Sequence, residues 1–126
     1  MSSDADGAIR IERVVAAVDC GIAINPDVIR AQVEGGVTFA LGAVMRDAIT
    51  LDGGVVNQSN FPDYEPIRMS DTPPVEVHIV ASAEAPTGIG EPGVPPAGPA
   101  LALAIENATG TLVTRLPLSE NGVSFA

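Results

Sequence analysis

The sequence predicts an α+β domain in which one mixed or antiparallel sheet packs against two helices. Three observations carry that prediction. A β-branched run, Val14 to Val18, precedes a long stretch with apolar residues every three to four positions. A second run, Val75 to Val80, alternates apolar and polar residues. A second helical stretch then follows a segment dense in glycine and proline. Segregated strands and helices of this kind build an α+β layer rather than a doubly wound sheet.

Taken in order, residues 1–7 are small and acidic and are expected to form a disordered start. From Ala8 the chain alternates and then turns apolar through Val18, which reads as a strand passing from half-buried to buried and ending at Asp19-Cys20-Gly21. Asn25-Pro26 is a helix start, since Asn caps free N–H groups and Pro suits the first turn. Ile29, Val33, Val37, Leu41 and Val44 then mark one helical face to about Met45. Gly35 and Gly36 interrupt that helix at a cost of about 1 kcal/mol each relative to Ala, and a close approach by another backbone or a ligand is the expected compensation. Asp52-Gly53-Gly54 between Ala48–Leu51 and Val55–Asn57 reads as a hairpin. Residues 60–74 are irregular, and Val75–Val80 is a strand. Gly98-Pro99-Ala100 opens the second helix and Gly110 closes it. The domain is expected to span 8–118, with 119–126 as a tail.

Composition narrows the function. The net charge is −10, and all six cations are Arg. Neutralising phosphates needs a basic patch, so nucleic acid is excluded as a partner, as are anionic lipid surfaces. A hydrophobic fraction of 46% predicts a folded chain, and four aromatics (Phe39, Phe61, Tyr64, Phe125) leave the core to Val, Ile, Leu and Ala. One cysteine, Cys20, marks no oxidising compartment. No signal peptide opens the chain and no apolar run suggests a membrane span, so cytoplasm and periplasm are both open.

The segment Ala85–Pro96 is the most informative. Glu91 is the only ionisable residue between Glu84 and Glu106, with Gly90 and Gly93 on either side and Pro92, Pro95 and Pro96 stiffening the loop. A lone carboxylate held so is a candidate general base, although local chemistry by itself favours an exposed loop glutamate. Gln32 is the polar side chain nearest Gly35 and Gly36, and its amide can both donate and accept, although local chemistry by itself favours a solvated helix residue. His78 reads as a surface strand residue sharing a face with Glu76 and Val80, and Cys20 as a buried structural thiol. No cluster has metal-ligand spacing.

Three motifs in order then resemble one family. Val18-Asp19-Cys20-Gly21 with Ile24-Asn25-Pro26, Gln32-Val33-Glu34-Gly35-Gly36, and Gly88-Ile89-Gly90-Glu91-Pro92 resemble the large subunits of molybdenum hydroxylases of the xanthine dehydrogenase/aldehyde oxidase family. Asn60–Tyr64 and Gly93–Pro96 are most similar to the isoquinoline 1-oxidoreductase beta-subunit branch. The resemblance runs from about Ile9 to Leu118. It implies a fragment of the molybdopterin-binding domain of an oxidoreductase that hydroxylates N-heterocycles or aldehydes with water as oxygen source. The implied cofactor is a molybdopterin, also in its cytosine dinucleotide form, and the implied partners are the remainder of the large subunit and an iron–sulfur small subunit. Glu91 would then be the catalytic base acting beside the molybdenum, Gln32 a cofactor contact, and Gly35, Gly36 and Gly90 the glycines that admit the cofactor. The chain departs from the family in length, in lacking a second Gln after Gln32-Val33-Glu34-Gly35, and in lacking an iron–sulfur cysteine set. Alone it is expected to bind no cofactor, to be inactive, and to expose apolar surface that favours homo-oligomers. The competing expectation is a stand-alone binding or assembly module with a polar surface all round.

Overall fold

The computed structural model describes residues 1–126. Its centre is helix α1, Pro26–Met45. The Asn25 side chain accepts from the amides of Asp27 and Val28, both at 3.2 Å, so the first turn is capped as the sequence anticipates. Ile29, Val33, Val37, Ala40, Leu41 and Met45 form its buried face. By length and composition α1 is sufficient to cross a bilayer, although no apolar run in the sequence suggests a span; in the fold it is the core helix. The second helix, α2 (Ala97–Thr109), buries Ala97, Leu101 and Ile105 and ends at Gly110, whose left-handed backbone (φ 76°) lets its amide reach the Glu106 carbonyl at 2.7 Å.

Six strands form three separate pairs rather than one sheet, so the α+β class stands but its single sheet does not. The pairs are β1 (Ser2–Ser3) with β2 (Ile9–Arg10), β3 (Val14–Val18) with β6 (Val75–Ile79), and β4 (Leu51–Asp52) with β5 (Val55–Val56). Only β3 and β6 are five residues long, and they run parallel, Val14 opposite Val75 through Val18 opposite Ile79. Parallel pairing needs a long crossover, which α1 and the following irregular segment supply. The β4–β5 hairpin turns at Gly53 and Gly54, both at positive φ (54° and 86°), and is exposed throughout.

Val14, Ala16, Val18, Val75 and Val77 face the core, whereas Val15 is 54% exposed and Ala17, Glu76 and His78 are exposed. The expected passage of this strand into full burial therefore does not occur: no part of the chain covers its second face. His78 sits on that open face as expected, its Nε2 2.7 Å from Glu76 Oε1.

Both ends of the chain are more structured than a disordered start and a tail. The Asp4 carboxylate accepts from the amides of Asp6 and Ala8 (3.0 and 2.8 Å) and turns β1 back onto β2. At the other end Val123 is buried in the core and Phe125 packs against it. Ile9 donates to the Ser124 carbonyl (2.8 Å) and accepts from the Ala126 amide (3.0 Å). The reason is the small core: 19 of 126 residues are buried, all apolar, Gly or Pro, so two more apolar side chains are recruited from the C-terminal segment.

Candidate functional site

The Glu91 loop is irregular yet anchored at both ends. At its start the Ile22 amide donates to the Glu84 carbonyl (3.0 Å) and the Thr87 amide to the Cys20 carbonyl (2.9 Å). Gly21 makes this crossing possible. Its φ is +73°, its amide is held by Asp19 Oδ1 at 3.0 Å, and a side chain there would overlap the Ala85 carbonyl oxygen and lie 2.8 Å from that of Glu84. At its end the loop lands on α1 glycine to glycine. A Cβ on Gly36 would meet the Gly93 Cα at 3.4 Å, and a Cβ on Gly93 would stand 2.9 Å from the Val33 carbonyl oxygen. The Val94 amide then donates to the Glu91 carbonyl (2.8 Å) and the chain enters α2. Between the anchors Ile89 packs against the core while Gly88, Gly90 and Glu91 are exposed. The Glu91 carboxylate makes no hydrogen bond or ion pair within the chain.

The structure divides the two helix glycines. Gly36 is buried and receives the loop, which is the close approach the sequence demanded. Gly35 is exposed, with nothing within 4 Å of a Cβ placed there, and Gly88 and Gly90 are equally open. Gln32 lies one turn before Gly36 and shares its side of α1 with both glycines. Its amide is exposed and unpaired. The hollow beside Glu91 is lined by Gly88, Gly90, Pro92 and Pro95 and does not include Gln32, so the chain holds these two polar groups on neighbouring structures without bringing them into contact. Since no contact in the chain requires Gly35, Gly35→Ala is expected to stabilise the isolated chain by about 0.5–1 kcal/mol, read as a higher urea midpoint; a lower midpoint would show a constraint at Gly35 that the open surface does not reveal.

In the sequence Gly21 reads as a strand terminator and motif residue and Gly93 as a flank to Glu91 and motif residue, with no sign that either is a point of backbone contact. A glycine directly after Asp-Cys at the end of a buried strand was the available signal, but its requirement comes from residues 84–87, far away in sequence. Cys20 is buried, as expected of a structural thiol.

A second polar cluster lies at the other end of α1, fourteen residues or about 21 Å along the axis from Gln32. Burial raises the Asp47 carboxyl above the ordinary carboxylate range, offset in part by the Tyr64 hydroxyl and Arg46. Asp71 moves the other way: the Ser70 hydroxyl (2.8 Å) and the Arg46 guanidinium (3.2 Å) hold its carboxyl below the ordinary 3.8. A depressed carboxyl contributes stability above its unfolded value and loses it as pH falls through the folded one. Asp71→Asn should therefore flatten the fall in melting temperature on acidification below about pH 4; an unchanged acid limb would remove Asp71 from that role.

Comparison with known proteins places these features in a family. Residues 3–73 match the family model of the molybdopterin cofactor-binding domain. The chain is 34% identical to the isoquinoline 1-oxidoreductase subunit beta of Brevundimonas diminuta, over 90% of the chain and 14% of the relative. It is 31% identical to the nicotine 6-hydroxylase large subunit of Paenarthrobacter nicotinovorans, over 93% of the chain and 15% of the relative. Among solved structures, CO dehydrogenase from Oligotropha carboxidovorans superposes with a TM-score of 0.75 at 26% identity, over 90% of the chain and 16% of that chain. Quinoline 2-oxidoreductase from Pseudomonas putida 86 superposes with a TM-score of 0.80 over the same shares; its 21% identity speaks for the fold alone. The chain thus spans about one-seventh of the length of the curated relatives it matches.

Proposed function

Because the chain belongs to the molybdopterin cofactor-binding domain family of the xanthine dehydrogenase/aldehyde oxidase type, we propose that it supplies the Glu91-bearing wall of a molybdenum hydroxylase active site, with Glu91 as the catalytic base. The observation that carries this reading is the unpaired, exposed carboxylate on a loop clamped at Gly21 and Gly93. A base must stay at a fixed place and must not be neutralised by a neighbouring cation. The clamped backbone supports the first condition and the absence of a neighbouring cation the second. A polar side chain with no partner on a clamped loop has no structural role.

The residues present fit the cofactor. Gly35, Gly88 and Gly90 leave open surface where a bulky group can approach the backbone, and the Gln32 amide is free to donate and accept. Gln32 and Gly35 would hold the pterin, and Gly90 would keep the backbone beside Glu91 low. When bound, the molybdenum centre supplies the two-electron redox chemistry and the activated oxygen that comes from water. Glu91 would take the proton at its carboxylate oxygen, and the clamped loop fixes the backbone from which that side chain reaches. Gly36 acts indirectly, by seating Gly93. The cytosine dinucleotide form of the cofactor is part of this proposal, as is an iron–sulfur small subunit that receives the electrons.

The relatives' names point to N-heterocycles (isoquinoline, nicotine) and to aldehydes as the substrate class. The isolated chain is proposed to be inactive, since it carries one wall of such a site. The test is Glu91→Gln in the assembled enzyme, with molybdenum content measured beside turnover. Loss of turnover at unchanged metal content is expected, and retained turnover would sink the catalytic assignment.

A further inference from the structure

We propose that Asp19 is a positioning residue for Glu91: its carboxylate fixes the peptide group from which the start of the Glu91 loop hangs. That Glu91 is the base rests on the reading above; the restraint on the loop does not.

The restraint passes through a single peptide plane. The Gly21 N–H donates to Asp19 Oδ1 at 3.0 Å. The Cys20 carbonyl accepts from the Thr87 amide at 2.9 Å. That N–H and that carbonyl are the two edges of one planar unit, the Cys20–Gly21 peptide. Holding the N–H therefore sets the direction of the C=O. A carboxylate acceptor also polarises the unit, so the bond on one edge strengthens the bond on the other.

This peptide needs holding. A peptide next to glycine rotates readily, because glycine adopts either sign of φ, and Gly21 stands at φ +73°. Rotation would turn the Cys20 carbonyl away from Thr87. The other backbone bond of the crossing, from the Ile22 amide to the Glu84 carbonyl, lies beyond Gly21 and does not involve this peptide. Within the chain Asp19 has no other task. It is exposed, joins no ion pair, and its one side-chain hydrogen bond is the turn it closes two residues on.

From Thr87 the restraint reaches Glu91 within four residues. Gly88 and Gly90 have open surroundings, no backbone hydrogen bond falls on residues 88–90, and only Ile89 packs against the core. At the far end Gly93 meets α1 by close contact without a hydrogen bond. The hydrogen-bonded start therefore sets the direction from which the chain arrives at Glu91, and Asp19 holds that start.

The test uses the assembled enzyme and three variants. Asp19→Ala removes the acceptor. It should lower kcat about tenfold, a partial version of the loss that a displacement of about 1 Å produces, while KM, molybdenum content and melting temperature stay those of the parent. Asp19→Asn keeps an acceptor oxygen at the same reach without the charge, and should recover turnover. Asp19→Glu keeps the charge but sets the oxygen one methylene too far, and should behave as Asp19→Ala does. Hydrogen exchange at the Thr87 amide should quicken about tenfold in the Ala and Glu variants and stay parental in Asn. If Asp19→Ala does not assemble, the contrast between Asn and Glu still decides. Parental turnover and exchange in Asp19→Ala or Asp19→Glu overturns the proposal. So does an Asn variant as impaired as Glu, which would make charge and not the acceptor the cause. Turnover falling only in step with molybdenum content or melting temperature overturns it too, because Asp19 would then support the fold at large. Glu91→Gln with retained turnover would sink the catalytic reading and leave the exchange difference intact, so the two failures are separately visible.

Discussion

Replacing Glu91 by glutamine is expected to lower turnover of the assembled enzyme by about a hundred- to ten-thousand-fold, the range that a positioned general base contributes. Glutamine keeps the shape of the side chain and removes only its ability to take a proton. In the chain Glu91 touches no cation and accepts no hydrogen bond, so the substitution should shift stability by no more than about 0.5 kcal/mol, as at an ordinary surface site. The two readouts therefore separate. Turnover falls, whereas melting temperature and molybdenum content hold. If metal content falls in step with activity, Glu91 is a holding residue and not the base.

Gly21→Ala is expected to be the most damaging single substitution for the fold. An alanine at φ +73° costs about 1–2 kcal/mol from backbone sterics alone. Its methyl group would overlap the Ala85 carbonyl and crowd that of Glu84, and forcing such a contact adds about 1–3 kcal/mol. The expected loss of about 2–5 kcal/mol is a large part of a small domain's stability. Gly7 provides the control, because it has φ +82° and open space around it, so Gly7→Ala should carry the backbone cost without the clash. Urea unfolding of both variants, with unchanged slopes, gives the difference directly. Equal losses would mean that the crossing of residues 84–87 over Gly21 is slack and does not anchor the Glu91 loop.

The anchoring also explains why the loop can be both irregular and useful. Backbone hydrogen bonds at Cys20 and Ile22 fix its start, Gly93 on Gly36 fixes its end, and Ile89 ties its middle to the core. The exposed stretch at Gly90-Glu91 is short. If the loop serves the proposed site, little of its backbone freedom is left to be lost on binding.

Much of this was readable from local chemistry. Asn25-Pro26 set the start of α1, apolar spacing set its length and buried face, Gly110 set the end of α2, and alternation placed β6 with His78 on its open side. Glu91 stood out because it is the one charge in a stretch of glycine and proline. These signals are local, since capping, periodicity and turn preference act within a few residues.

What only the tertiary structure decided is which segments meet. One expected sheet became three pairs because pairing depends on where α1 and residues 57–74 return the chain. Val14–Val18 stayed half-exposed because burial requires a covering layer that composition does not reveal. Segment 119–126, a tail by its sequence, entered the core because Val123 and Phe125 fill space left by a protein with few aromatics. The two glycines of α1 were indistinguishable in sequence, yet Gly36 serves the Glu91 loop and Gly35 stands open. That difference arises from contact with a residue nearly sixty positions away, and no local pattern encodes a partner at that distance.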